Sequence, residues 1–369
     1  MAVLGCGRRQ FVGLAAAAVA APRTARAAPD GKLGIPGPFP GRVVAVKHPA
    51  SIVSGAYQPE TIRQVMLKGM RELTGAPGWP DAWRVFFQPG DVVGIKVNPV
   101  GGKKICSDPS VLLAIIDGLK HAGVKPADIF VYDRYRLQLQ AAGIHRWLPD
   151  DIRAASATEQ YDSVQLGMNG FDPDQYMEFP IIQPGQDPRD PHFRRSYVAR
   201  FLTQRVNKVV NLACLKHHNA AGVTLALKNI AYGMVNNVSR SHQGRTNVQA
   251  AFIPAIVDLP VFRQKIVLHL LDGIKGGYEN GPSITPQHIW EHKTMYFATD
   301  PVALDKTGWR VIDEKRVEQG LQPVALARPD GKTNQQSLNT APDHVQVAGA
   351  FGLGIFDDSG IELKRLELS

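Results

Sequence analysis

The chain has 369 residues, 44% of them hydrophobic and 20% charged, and 42 Lys and Arg against 33 Asp and Glu leave a formal charge of +9. That composition belongs to a globular protein with ample length for a large core. No long block of consecutive basic residues supports nucleic-acid binding, and no apolar run of roughly 18 residues follows the N-terminal segment, so no stable membrane span is expected once that segment is removed.

Gly7-Arg8-Arg9-Gln10-Phe11-Val12-Gly13 resembles the twin-arginine export motif. A short apolar region over 12–21 and the small-residue pattern Ala25-Arg26-Ala27 follow in the order of a cleaved signal peptide. Residues 1–27 are therefore expected to be a twin-arginine signal peptide. The export machinery is then a partner, and the mature protein is periplasmic or secreted. Cleavage after Ala27 removes Arg8, Arg9, Arg23 and Arg26 and no acid, which lowers the net charge from +9 to +5. That residual excess suits an anionic small ligand. Only Cys106 and Cys214 remain, too few for a cluster with four cysteine ligands, so no iron–sulfur cluster held by this chain's own cysteines is expected.

Residues 28–40, rich in Pro and Gly, read as a linker to a single α/β domain over 41–369. A strand is expected at 42–47. A helix follows at 60–73, where Ile62, Val65, Met66, Met70 and Leu73 recur at helical spacing. A nearly continuous apolar strand covers 91–98. Ser107-Asp108-Pro109 opens a helix ending near Gly123, and the next strand is 129–132. This β-α-β-α-β rhythm predicts a mostly parallel sheet with helices on both faces. Residues 135–205 break the rhythm with Pro, Asp, Gln and aromatic residues and read as an irregular insertion. The rhythm resumes with a strand at 208–214, helices at 222–235 and 247–259, strands at 265–271 and 294–298, helices at 301–319 and 344–354, and a closing strand at 361–368.

In an open parallel sheet the binding crevice lies at the carboxyl ends of the strands. Five expected strands end there in Lys96 and Asn98, in Asp133 and Arg134, in Lys216, His217 and His218, in Asp272, and in Thr299 and Asp300. Lys216-His217-His218 reads as a strand-to-helix loop. Gly222-Val223-Thr224 reads as the helix N-terminus, whose free N–H groups favour an anion. Thr224 and Lys228, four apart, would share a face of that helix. Asp300 reads as a helix cap ahead of Pro301, a role that leaves Asp305 unaccounted for.

Four stretches carry a family resemblance: IKVN (95–98), NLACLKHHNAAGVTLALKN (211–229), DGIKGGYENGP (272–282) and ATDPVALD (298–305). In order and spacing, over roughly residues 42–320, they look like the domain-of-unknown-function family 362. Ala213-Cys214 and Asn280 depart from its pattern, and its frequent ferredoxin-like extension is absent. The resemblance implies a shared site at Lys96, Asn98, Lys216, His218, Lys228, Asn229, Asp272, Gly281, Pro282, Asp300 and Asp305, and implies no reaction. The candidate catalytic residues are His218 as acid or base, Lys216 and Asp272. The candidate ligand-binding residues are Lys96, Asn98, Thr224, Lys228, Asn229 and Gly281, and the candidate ligands for a divalent metal are Asp300, Asp305 and His217. An exported enzyme acting on an anionic small molecule, a metal-dependent version of it, and a non-catalytic ligand-binding or maturation factor for exported redox proteins all fit these residues.

Overall fold

The computed structural model describes residues 33–101, 104–242, 248–326 and 341–369. The expected signal peptide and the first part of the linker lie outside the described residues. The main sheet has nine strands: β1 (Arg42–Lys47), β2 (Val93–Lys96), β3 (Ile129–Tyr132), β4 (Arg153–Ala155), β5 (Lys208–His218), β6 (Gly222–Thr224), β7 (Ile266–Gly277), β8 (Ile289–Ala298) and β9 (Glu362–Glu367). Across the sheet the order is β9-β1-β8-β7-β5-β2-β3-β4, with β6 paired to β5. All pairings are parallel except those made by β6 and β8.

The central strands β2 and β3 are buried at every position, and β5 at all but its first. Covered on both faces, such strands read as unbroken apolar runs. Helices α1 (Pro59–Thr74) and α2 (Pro109–His121) close one face, and their Met66, Met70, Val111 and Ile115 join Val210 and Leu212 in one core. The helix α1 starts with Pro59 in its first turn and stops at Gly75, which adopts the left-handed conformation at φ 73°. Helices α3 (Ala226–Gly233), α4 (Gln249–Val257), α5 (Pro301–Glu318) and α6 (Asp343–Ala350) lie on the opposite face. The fold is α/β, with a mostly parallel sheet and helices on both faces.

Three expectations need correction. The strand β5 does not stop at Cys214. It continues through Lys216-His217-His218 and turns into β6, so residues 222–224 are strand rather than helix, with Thr224 opposite Lys216. The helix begins at Ala226, and Thr224 and Lys228 therefore share no helix face. Second, β7 runs on past its expected end at 271, through Asp272–Gly277. Third, β8 runs antiparallel to β7 and β1, which places its end, with Thr299 and Asp300, at the opposite edge of the sheet from the ends of β2, β3 and β5. A parallel return needs a crossover of a dozen or more residues, usually helical. The 278–288 connection holds only a short 3-10 turn, so the chain comes back as a hairpin.

The 135–205 stretch is more ordered than its composition suggests. It contains a short helix, Arg136–Ala141, the edge strand β4 of the main sheet, and an antiparallel ribbon of Phe171–Glu178 with Arg195–Ala199.

Candidate functional site

A cavity of about 670 Å³ opens where β2, β3 and β5 end, with α3 as its floor and residues of the 135–205 stretch, among them Tyr161 and Gln165, as its outer wall. Lys96, Asn98, Lys216, His218, Thr224, Lys228 and Asn229 all line it. Seven of the twelve candidate site residues are thus brought together, although they are spread over 134 positions of sequence.

The three lysines differ in what their ammonium groups do. Lys96 is buried, and its Nζ donates to Asp133 Oδ1 at 2.6 Å, to the Val97 carbonyl at 2.6 Å and to Asn229 Oδ1 at 3.2 Å. Asn229 in turn donates through Nδ2 to Asn211 Oδ1 and the Leu212 carbonyl, which fixes its amide orientation. The Lys96 stem lies against Gly233, where an added Cβ would stand 1.9 Å from Lys96 Cε, so only glycine lets the helix pass over it. Lys216, fully buried, donates to Asn98 Oδ1 at 3.0 Å and to the Val100 carbonyl. Asn98 and Asn229 therefore hold lysines in place. Lys228 is also buried, yet among the described residues its Nζ has no hydrogen-bond acceptor and no carboxylate. It lies 3.9 Å from the centre of the Tyr232 ring. Burial lowers the pKa of all three lysines; neighbouring Arg134 and Lys216 add to the effect on Lys228, which falls well below 10.5.

Two imidazoles complete the inner wall. His218 Nδ1 accepts from the backbone N–H groups of Ala220 at 3.1 Å and Ala221 at 3.2 Å. A backbone N–H only donates, so the proton of the neutral ring sits on Nε2. His218 can therefore present a donor to a ligand, and in this tautomer it is not a base. His242 has the opposite arrangement: Nδ1 faces the Val238 carbonyl at 3.2 Å, and the lone pair is left on Nε2. The two rings lie 6.2 Å apart, and His242 packs on Tyr232 at 5.3 Å. Burial pulls His218 well below its usual value, whereas His242 is exposed at the cavity rim. Arg134 donates to the Val235 carbonyl at 3.0 Å and stacks on Tyr135 at 4.4 Å. Thr224 presents a buried hydroxyl with no partner among the described residues.

Among the described residues, four basic side chains stand around this cavity, Lys96, Arg134, Lys216 and Lys228, the last held toward its free base, against one carboxylate, Asp133, which is already paired with Lys96. Buried charge without a counter-charge is costly. An anion in the cavity would supply the missing charge.

The other five candidates lie elsewhere. Asp272 faces a separate cleft of about 30 Å³ together with Tyr57, Asp108, Lys275 and the free thiols Cys106 and Cys214. It accepts from Tyr57 Oη at 3.1 Å, and burial and then Asp108 push it up to about 7. Gly281 is a packing residue: an added Cβ would sit 1.6 Å from the His217 carbonyl. His217 Nδ1 accepts from the Gly281 N–H at 3.3 Å. Asp300 caps α5 through the N–H groups of Val302 and Ala303, and its second oxygen accepts from Gly41 and Ile355. Asp305, within α5, accepts from the N–H groups of Ala226 and Leu227 at 2.7 and 3.0 Å, so it caps α3 from another helix. The helix N-terminus expected to take a ligand anion already holds this carboxylate. Asp300, Asp305 and His217 do not come together, and among the described residues no group of three His, Cys, Asp or Glu side chains is placed to hold a metal. Of the cavity residues absent from the sequence-derived set, Tyr232 stands one turn beyond Lys228, and Arg134, two residues past β3, stands at an expected strand end without an assigned role. His242 had no such signal, since it arrives through a 3-10 turn.

Buried histidines give the fold a pH dependence. Burial pulls His217, His269 and His344 down to about 3. The unfolded chain takes up protons near 6.5 that the native state refuses, so their contribution is complete above about 6.5 and is lost as pH falls toward 3. Burial pushes Asp300 up to about 6, Asp272 to about 7 and Asp305 to about 8. These oppose the histidines, stabilising at low pH and losing that contribution as pH rises through 6–8. With His218 added, the histidines outnumber the aspartates. Between pH 6 and 4 the unfolding free energy is expected to fall by between about 1 and 3 kcal/mol per pH unit. Urea midpoints measured at pH 7, 6 and 5 check this; a midpoint that holds or rises would show that these imidazoles are solvated in the native state.

Fold and site together define an α/β protein with a basic cavity at the carboxyl edge of its sheet. The family model described as Domain of unknown function (DUF362) matches residues 93–310, more than half of the chain, and the chain belongs to that family. No curated protein matches it. Among solved structures, a crystal structure of a protein from Thermotoga maritima is similar at 12% identity over 72% of this chain, with a TM-score of 0.35, and the match spans 60% of that protein's chain.

Proposed function

We propose that this chain binds an anionic small molecule in the basic cavity and acts on it chemically, after twin-arginine export to the periplasm or the exterior. The observation that carries the binding is the imbalance, among the described residues, of four basic side chains against one paired carboxylate around a cavity of ligand size. The chemistry is supported by two imidazoles of opposite tautomer beside an amine with no acceptor among the described residues. In this reading Arg134 and Lys216 attract the anion, His218 Nε2–H and the Thr224 hydroxyl orient it, and His242 Nε2 accepts a proton. Lys96, Asn98 and Asn229 position the others. Asp272 takes no part, because it opens on the other cleft.

Inorganic phosphate is the first probe. An anion that binds only the native state stabilises it by roughly 2.7 kcal/mol at a hundred times its Kd. Thermal unfolding in rising phosphate at constant ionic strength is expected to show a saturable rise in Tm that chloride does not reproduce. A Tm that follows ionic strength alone, whichever anion supplies it, would sink the reading.

A further inference from the structure

We infer that Lys228 is a nucleophilic amine that condenses with the carbonyl group of an anionic oxo acid to form an imine. The inference rests on the anion-binding reading above and names the substrate class. It stands on a contrast within one cavity. The Nζ of Lys96 is engaged by three acceptors and that of Lys216 by two. The Nζ of Lys228 has none among the described residues and lies over the Tyr232 ring, at the cavity wall. A lysine kept for structure or for simple charge would be expected to sit among acceptors, as the other two do. An amine in apolar and cationic surroundings is instead held as the free base, the form that attacks carbonyls. Burial, Arg134 and Lys216 all act on Lys228 in that direction.

The groups around it suit each step. Arg134 and Lys216 stand where the carboxylate of an oxo acid would settle, and His218 Nε2–H can donate to the carbonyl oxygen. The Nζ lone pair forms the C–N bond while the C–O π pair moves onto oxygen. The two hydrogens of the amine leave with that oxygen as water, and the C=N bond forms. No oxidant or further reactant enters. His242, packed on the same Tyr232 ring as Lys228, has the free Nε2 lone pair needed to carry a proton from nitrogen to oxygen.

The test uses the whole protein with glyoxylate and, separately, pyruvate, trapped by cyanoborohydride at pH 7 and mapped by peptide mass spectrometry. Lys228 is expected to gain the mass of the probe less one oxygen, with Lys96 and Lys216 unmodified. Its labelling should exceed that of surface lysines by roughly tenfold or more, because each unit of pKa depression multiplies the free amine tenfold. Phosphate should suppress it, and glycolate, which lacks the carbonyl, should give no adduct. In Lys228→Met the label should vanish. Should that variant fail to fold, the map of the unaltered protein still decides. Labelling spread over exposed lysines with Lys228 no higher than they are would overturn the imine. If phosphate still stabilises the protein in that case, the imine alone fails; if phosphate has no effect either, the anion-binding reading fails with it.

Discussion

Lys96→Met is expected to destabilise the protein by about 3–5 kcal/mol, the cost of leaving a buried carboxylate without its partner. Lys96 and Asp133 are both nearly inaccessible, and their 2.6 Å contact is the only ion pair recorded for either among the described residues. Methionine matches the lysine stem in length and so keeps the packing under Gly233. The loss therefore comes from charge and from the orphaned Oδ1 of Asn229 rather than from a cavity. Adding Asp133→Leu should restore most of the stability, because replacing both partners of a buried pair by apolar residues is often neutral. Urea unfolding of both single variants and the double variant measures the coupling. If Lys96→Met alone costs under about 1 kcal/mol, water reaching through the cavity already solvates Asp133 and the pair is not structural.

Lys228→Met, the same chemical change in α3, is expected to do the opposite. No acceptor among the described residues is lost, and the amine that disappears is one that a bound anion would protonate. Stability should hold or rise by about 1 kcal/mol, as is common when a destabilised functional site is neutralised. Affinity for phosphate should fall tenfold or more, about 1.4 kcal/mol. A thermal melt with and without phosphate reads both quantities from one sample. The decisive result is their divergence: a variant that is as stable as the parent and blind to phosphate identifies Lys228 with function. A variant that loses several kcal/mol without ligand would make Lys228 a packing residue and sink the assignment.

These two lysines show where sequence reading reaches its limit. Lys96 ends an apolar strand, and Lys228 stands in a helix-like run that already belonged to a recognised motif. Both could be placed near the strand ends, and both line the cavity. Neither position reveals that one ammonium has three acceptors and the other none, because the acceptors come from residues 97, 133 and 229 and meet Lys96 only when β2, β3 and α3 pack together. Asp272, Asp300 and Asp305 misled for a related reason. Each has the composition of a site residue and occurs within a motif of the family. The length of β7 and the packing of α5 decide that they face another cleft and two helix termini. The hairpin could have been inferred, since no helix-forming segment separates 272 from 293. The extension of β5 through two histidines could not, because nothing in Lys216-His217-His218 resembles a strand until Gly222-Val223-Thr224 pairs with it.

What the sequence by itself determined is the alternation of apolar strands and amphipathic helices, hence an α/β sheet covered on both faces, and the chemical kinds of residue gathered at its edge. Periodicity and capping are local properties, set by neighbours within a few positions of the chain. The tertiary structure alone decided which polar groups saturate one another and which stay free. That depends on partners far apart in the chain, on strand direction, and on the low-dielectric interior that makes an unpaired amine reactive and a paired one inert.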